Sequence, residues 1–465
     1  VLMTADNSFE LWINGHKAGE GDNFHQFSSL DVKALLRSGT NVLAVAAVNG
    51  GDSPNPAGLV GALVIRDKEG RERVVHTDGA WETARSVGES WPSESAQADW
   101  SKRPLAERIE LVLAGVAAIG AMNDEIVPEL AWQMGRPIRY GGEFGGFEER
   151  AKHMAAIAGD ALADIEVAND ASFRRFIARE AHGVVLVVAP WNYPYMTAIN
   201  TVAPALIAGN AVVLKHATQT LLVGERMVRA FNDVGVPADV FQNMFLDHET
   251  TSNLIAQRSF NFINFTGSVE GGKAMEMAAA GTFTGLGLEL GGKDPGYVME
   301  DADLDAAVDT LIDGAMFNSG QCCCGIERIY VTESLYDAFV EKAVAIVQNY
   351  KLGNPLDPDT TLGPMAHKRF ADEVRAQVSQ ALDQGAVAHI EPFSADDGGA
   401  YLSPQILTNV SHQMRVMREE SFGPVVGIMK VKSDDEAITL MNDSDFGLTA
   451  SLWTADTERA IEIGR

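Results

Sequence analysis

From Phe173 onward, continuous apolar runs alternate with amphipathic stretches. GVVLVVAP and AVVLK, the second closed by Lys215, are continuous apolar runs, the pattern of strands buried on both faces. Ile199 to Ala208 reads as a helix between them, and TLLVGERMVRAFNDVG as the next. FINFTG is a further strand, leading into the helical SVEGGKAMEMAAA. This alternation predicts a parallel sheet covered by helices, with ligands at the carboxyl ends of its strands. After Gly291 the pattern repeats. DPGYVM and RIYVTES read as strands, with Asp303 to Phe317 and LYDAFVEKAVAIVQNY as helices. The fold class expected is therefore α/β, with two parallel-sheet domains.

The first 92 residues have a different period. FELWINGHKAG places Phe9, Leu11 and Ile13 on one face and then turns at Asn14-Gly15, a hairpin signature. NVLAVAAVN, LVGALVIRD and RERVVHTD follow as short strands, so residues 1–92 read as a short all-β, sandwich-like segment. It resembles the galactose-binding-like β-sandwich modules of glycoside hydrolases, and as a carbohydrate-binding-like segment it is partial. Trp12, Trp81 and Trp91 would either stack on sugar rings or fill the sandwich core. No pair of carboxylates here stands out as a glycosidase acid and base. SESAQADW, Ser93 to Trp100, is polar and short and reads as the junction. Three helices come next: one from Pro104 with Leu105, Ile109, Val112, Leu113 and Val116 on one face, then Asp124 to Met134, then Glu148 to Leu162.

Composition narrows the functional classes. The chain of 465 residues is 46% hydrophobic, enough for large cores. Its net charge of −28 disfavours nonspecific binding to nucleic acid or anionic membranes and suits a solvated acidic surface. The most apolar stretch, AINTVAPALIAGNAVVL, is interrupted by polar residues, Pro204 and Gly209, so no membrane span is expected. The N-terminus lacks a signal-peptide pattern. Three cysteines without spaced partners suit a reducing, cytoplasmic setting.

Those cysteines are adjacent, in FNSGQCCCGIER, Phe317 to Arg328. A bond between chain neighbours would be strained, and the paired spacing of a zinc site is missing, so no metal is expected. Two readings remain: a thiol nucleophile in glycine-rich backbone, or small soft residues of a core. Two other stretches bear on the choice. GLELGGKDP sets Glu289 in an apolar, glycine-rich surrounding, which can raise a carboxylate toward neutrality and make it a general base. VAPWNYP ends a buried strand with Asn192, whose amide can face a developing oxyanion.

Together, APWNYP, FTGSVEGG, LELGGK and FNSGQCCC, in that order, resemble the aldehyde dehydrogenase superfamily from about Trp100 to the C-terminus. The resemblance implies a dinucleotide-binding domain over 100–290 and a catalytic, cysteine-bearing domain over 291–465. It selects Cys323, the second residue after Gly320-Gln321, as nucleophile. Asn192 and the Cys323 backbone N–H would hold the oxyanion, and Glu289 would activate water. NAD or NADP is the implied cofactor. By resemblance Lys215 bonds the adenosine ribose, Gly267 and Ser268 meet the diphosphate at a helix N-terminus, Glu420 bonds the nicotinamide ribose and Phe422 packs beside the ring. Trp191 and Leu290 complete the implied cofactor contacts. One departure concerns Thr218, where the family often has a glutamate that would repel a 2′-phosphate, so NADP is open as well as NAD.

The reaction implied is oxidation of an aldehyde to a carboxylic acid through a thiohemiacetal and a thioester, and the base Glu289 favours water over coenzyme A as acceptor. The alternative from another class is a carbohydrate-binding protein with an inert dehydrogenase part. The family forms homo-oligomers and normally continues beyond the helix TADTERAIEIGR, with a strand used in oligomerisation. The expectation is thus a family core truncated at its C-terminus, with altered assembly and little activity.

Overall fold

The computed structural model describes residues 94–167 and 173–465, with seven strands and a few single positions inside residues 1–93. Backbone contacts divide the chain into two compact units, Val1–Ala84 with Leu246–Thr250, and Arg85–Phe245 with Thr251–Arg465.

The named elements described within residues 1–84 are all β-strands. Ser8–Ile13 lies between His16–Gly21 and Leu43–Val48 in one sheet. Leu59–Arg66 lies between Leu2–Ala5 and Glu72–His76 in the other, with Ser28–Ser29 at its edge. Every pairing is antiparallel. Ile13 pairs with His16, and the turn expected at Asn14-Gly15 lies outside the described residues. The side chains of Trp12, Trp81 and Trp91, on which the sugar-binding reading rests, lie outside the described residues.

The polar stretch read as the junction forms, from Glu94 on, the helix Glu94–Ser101 of the second unit. The reason is Trp100. It is buried, and its Nε1 donates to the Leu206 carbonyl at 2.9 Å, so this turn of chain is anchored in the apolar interior. Leu105–Ala121 follows directly after Pro104, and Val112, Val116 and Ile119 of its apolar stripe are buried. Asn123–Met134 stops at Gly135, whose φ of 83° is the left-handed cap a glycine permits. Phe144–Ala161 starts four residues ahead of the expected helix.

Five parallel strands form the first sheet of this unit, in the order Phe241–Asn243, Ala211–His216, Val184–Ala189, Phe262–Thr266, Gly285–Glu289. Val184–Ala189 and Ala211–His216 are buried throughout, as their unbroken apolar runs require. Because the earliest strand is central, the winding reverses beside it and opens a crevice at the carboxyl ends. Trp191 and Asn192, Lys215, Gly267 and Ser268, and Glu289 and Leu290 all lie at or just past those ends.

The second sheet runs Val387–Ala388, Gln405–Thr408, Val425–Val431, Ile326–Thr332, Asp294–Val298, Ser451–Trp453, parallel except for its first strand. Here the candidate residues sit at the opposite end. Gly291–Lys293, Cys322–Cys324 and Glu420–Phe422 each precede one of three neighbouring strands, so their loops converge at the amino ends. No helix among the described residues is long and apolar enough to cross a membrane.

Candidate active site

The cysteines follow a sharply bent piece of backbone. Asp303 caps the helix Leu304–Met316 by accepting from the Ala306 N–H, and a short turn, Phe317–Gly320, follows. Asn318, Ser319 and Gly320 are all left-handed, with φ of 55°, 56° and 69°. For the first two this conformation costs energy that surrounding contacts must offset. Those contacts are present. Ser319 Oγ donates to the Gly363 carbonyl (2.9 Å), and Gln321 Oε1 accepts from the Ala366 N–H (2.8 Å). Gln321 Nε2 donates to the Asn318 carbonyl (3.1 Å). At Gly320 a Cβ would stand 2.1 Å from the Gly423 carbonyl oxygen, so only glycine fits.

Asn192 meets this turn directly. It is buried, and its Nδ2 donates to the Gln321 carbonyl at 3.2 Å, two residues ahead of Cys323. Its own carbonyl accepts from Arg136 Nη2 (2.7 Å) and Asn318 Nδ2 (3.2 Å). Arg136 Nε reaches Asn318 Oδ1 (3.3 Å), and its guanidinium lies over the Tyr193 ring at 4.8 Å. Charge balance comes from Glu143, whose Oε1 is 2.7 Å from Arg136 Nη1 in a buried pair. Glu143 Oε2 accepts the Met196 N–H (2.8 Å), one of the donors that the start of the helix Pro194–Ile207 leaves unpaired. Burial pushes the Glu143 carboxyl up while Arg136 pulls it down.

Cys322 and Cys323 are half-buried and Cys324 is exposed, all three as free thiols. The Cys322 and Cys324 sulfurs lie 3.4 Å apart. Bonds to Cys323 and Cys324, with burial, hold the Cys322 thiol far up. Bonding from Cys322 pulls Cys323 down, but its bond to Cys324 and its burial outweigh this and leave it up at about 11. Cys324 receives bonds from both neighbours and falls to about 3. These contacts favour the anion more at Cys324 than at its two neighbours.

Glu289 ends the strand Gly285–Glu289 and is exposed, which corrects the apolar enclosure expected from its sequence surroundings. Leu288 beside it is exposed as well, so this strand end stands open. Its backbone carbonyl accepts from the Gly267 N–H at 3.0 Å. Three residues on, the chain lies against the cysteine loop. A Cβ on Gly292 would be 2.6 Å from the Cys323 carbonyl oxygen, so the two backbones touch where no side chain intervenes. The Gly292 N–H donates to Glu420 Oε1 at 3.1 Å. Burial and the Glu327 carboxylate push Glu420 up to about 7.

Phe422, with φ of 50°, meets the Trp191 ring edge-on at 5.5 Å, and Phe370 stacks on Trp191 at 5.1 Å. Lys215 is buried at the end of Ala211–His216, beside His216, whose burial drives it down to about 4 and keeps it neutral. Thr218 is exposed at the start of the turn Thr218–Thr220. Ser268 caps the helix Val269–Ala279 by accepting from the Gly271 N–H (3.1 Å), and Gly272 of that helix packs on Leu290. A dinucleotide fits this donor set: a helix N-terminus for a diphosphate, a lysine and a carboxylate for ribose hydroxyls, and an aromatic wall for a ring. Among the described residues no cluster of histidine, cysteine, aspartate and glutamate has the arrangement of a metal site.

Arg136, Glu143, Lys293, Glu327 and Phe370 escaped the sequence reading. The one legible signal was IERIYV, where Glu327 and Arg328 interrupt an apolar strand and so demand buried partners.

A parallel crevice facing a cysteine turn held by an asparagine amide defines a class of enzyme, and the aldehyde dehydrogenase family model matches residues 90–465. The chain belongs to that family. It is 32% identical over 365 residues to the NAD(P)-dependent succinate semialdehyde dehydrogenase of Escherichia coli K12, covering 78% of this chain and 79% of that protein. A vanillin dehydrogenase of Corynebacterium glutamicum is 32% identical over 396 residues, covering 84% and 79%. Among solved structures, the NADP-dependent glyceraldehyde-3-phosphate dehydrogenase of Bacillus halodurans C-125, complexed with NADP, superposes with a TM-score of 0.74. It is 34% identical, covering 80% of this chain and 79% of that one.

Proposed function

We propose that this protein oxidises an aldehyde to a carboxylic acid with NAD or NADP, using residues 100–290 to bind the dinucleotide and 291–465 to carry the chemistry. The observation that carries the reading is the bond from the Asn192 amide to the Gln321 carbonyl. It holds an oxyanion donor beside Cys323 and leaves the second N–H of the amide to donate.

Cys323 sulfur, as the thiolate, attacks the carbonyl carbon. A C–S bond forms, and the new alkoxide is stabilised by Asn192 and the Cys323 N–H. The nicotinamide, when bound, supplies a hydride acceptor at the reacting carbon. Glu289 then takes a proton from water, which attacks the thioester carbonyl. The C–S bond breaks, the acid departs and the sulfur is regenerated as thiolate. Lys215 and Glu420 would hold the ribose hydroxyls, Gly267 and Ser268 the diphosphate, and Trp191, Leu290 and Phe422 the walls around the ring. Thr218 carries no charge, so a 2′-phosphate meets no carboxylate there.

The free thiols support a reducing, cytoplasmic setting. Open apolar side chains on the hairpin Ile165–Glu166 and Phe176–Ile177 support a homo-oligomer. The test is reduction of NAD and NADP, followed by nicotinamide absorbance, with a panel of aldehydes that includes succinate semialdehyde and vanillin. Progressive reduction that disappears in Cys323→Ser is expected. No reduction with any aldehyde would sink the reading.

A further inference from the structure

Glu327 is a buried carboxylate beside buried Arg328 in the strand Ile326–Thr332. Its Oε2 lies 2.6 Å from Lys293 Nζ and accepts the Ser421 N–H at 2.8 Å. Its Oε1 accepts the Phe422 N–H at 2.9 Å. Lys293 Nζ also donates to Ser421 Oγ (3.0 Å), which donates to Gln377 Oε1 (2.7 Å). Gln377 Nε2 returns to the Glu420 carbonyl (3.3 Å). The Ser421 and Phe422 N–H groups, the Ser421 hydroxyl and the Glu420 carbonyl thus end on Glu327, Lys293 or Gln377. Burying such an ion pair seldom adds stability over an apolar pair of equal volume. What it does here is hold two successive N–H groups and a left-handed Phe422, a conformation expensive for phenylalanine.

We infer that Glu327, with Lys293, is a positioning residue that sets the Glu420 carboxylate and the Phe422 ring for the dinucleotide. The inference rests on the dehydrogenase reading above. Glu327 lies four residues after Cys323 on the same strand entry, so one carboxylate registers the cofactor segment to the nucleophile.

The test compares Glu327→Gln with Glu327→Gln/Lys293→Gln in the full chain. Both should raise KM for NAD(P) about tenfold, the size of one lost charge-assisted bond. Hydride transfer should fall about a hundredfold, as expected for a small misplacement. Cleavage of p-nitrophenyl acetate, which needs the thiol but no dinucleotide, should stay within about twofold. Glu327→Gln alone strands a buried ammonium and should lower Tm, whereas the double variant should recover most of it. A purely structural role predicts that KM recovers along with Tm, and that result would overturn the proposal. So would an unchanged KM in Glu327→Gln, or ester cleavage falling in step with dehydrogenase turnover. A wild-type protein that reduces neither dinucleotide would overturn the dehydrogenase reading itself, and this role with it.

Discussion

Gly292 and Cys323 touch backbone to backbone, close enough that a methyl group on Gly292 would lie 2.6 Å from the Cys323 carbonyl oxygen. Through this contact the turn after Glu289 and the cysteine loop share one position, with Glu420 on the other side of Gly292.

If Cys323 is the nucleophile of that loop, Cys323→Ser abolishes NAD(P)H formation, because a hydroxyl here lacks a thiolate's nucleophilicity. Cys322→Ser and Cys324→Ser should retain substantial turnover. Steady-state rates decide it. A dead Cys324→Ser beside an active Cys323→Ser would move the nucleophile by one residue.

Glu289→Gln removes the base for water but leaves the sulfur. Thioester hydrolysis should slow by ~10²–10⁴-fold, the usual worth of a general base. A pre-steady-state burst of NAD(P)H should survive or sharpen in stopped flow. Unchanged turnover would take Glu289 out of the reaction.

Thr218→Glu places a carboxylate where a 2′-phosphate would lie. Preference should move toward NAD by about 1–3 kcal/mol, since like charges in a partly desolvated site repel. The ratio of kcat/KM for the two dinucleotides measures this, and a constant ratio would show that position 218 does not face the ribose.

Glu420 is raised by burial, and by Glu327, from 4.5 to about 7. Lys293 and Asp294 also face it, with opposite effects. Between those two values the folded chain holds a proton the unfolded chain has released, so this group makes folding less favourable as pH rises through that window. Above it the carboxylate is the stronger acceptor for ribose hydroxyls. KM for the dinucleotide should therefore fall about fivefold to tenfold from about pH 6 to about pH 8. Glu420→Gln should flatten that profile, and an equally steep one would assign the titration to another group.

Arg136→Met strands the Glu143 carboxylate in the interior. Loss of one partner of such a pair costs about 3–5 kcal/mol. Denaturant unfolding should show that loss, together with a lower kcat from a loosened Asn192. Arg136→Met/Glu143→Leu should recover stability without recovering kcat. Wild-type stability in Arg136→Met would mean that the pair is not buried in solution.

Much of the fold was legible because burial on both faces of a parallel strand writes itself as an unbroken apolar run, as at Val184–Ala189 and Ala211–His216. Cys323, Asn192 and Glu289 are proposed from the motifs FNSGQCCC, APWNYP and LELGGK, which carry the family resemblance. Their supports were not legible. Arg136 reaches Asn318 over 182 positions of chain, and Glu327 reaches Ser421 over 94. Nothing local marks either pairing. The left-handed run Asn318–Gly320 was likewise hidden, since its cost is offset by contacts from Gly363, Ala366 and Arg136. Local sequence determined which strands are buried on both faces and which motifs carry the family likeness. Tertiary structure alone decided that Glu289 stands exposed, that Trp100 anchors a helix, and that three loops meet at the amino ends of the second sheet, because burial and charge pairing depend on neighbours remote in the chain.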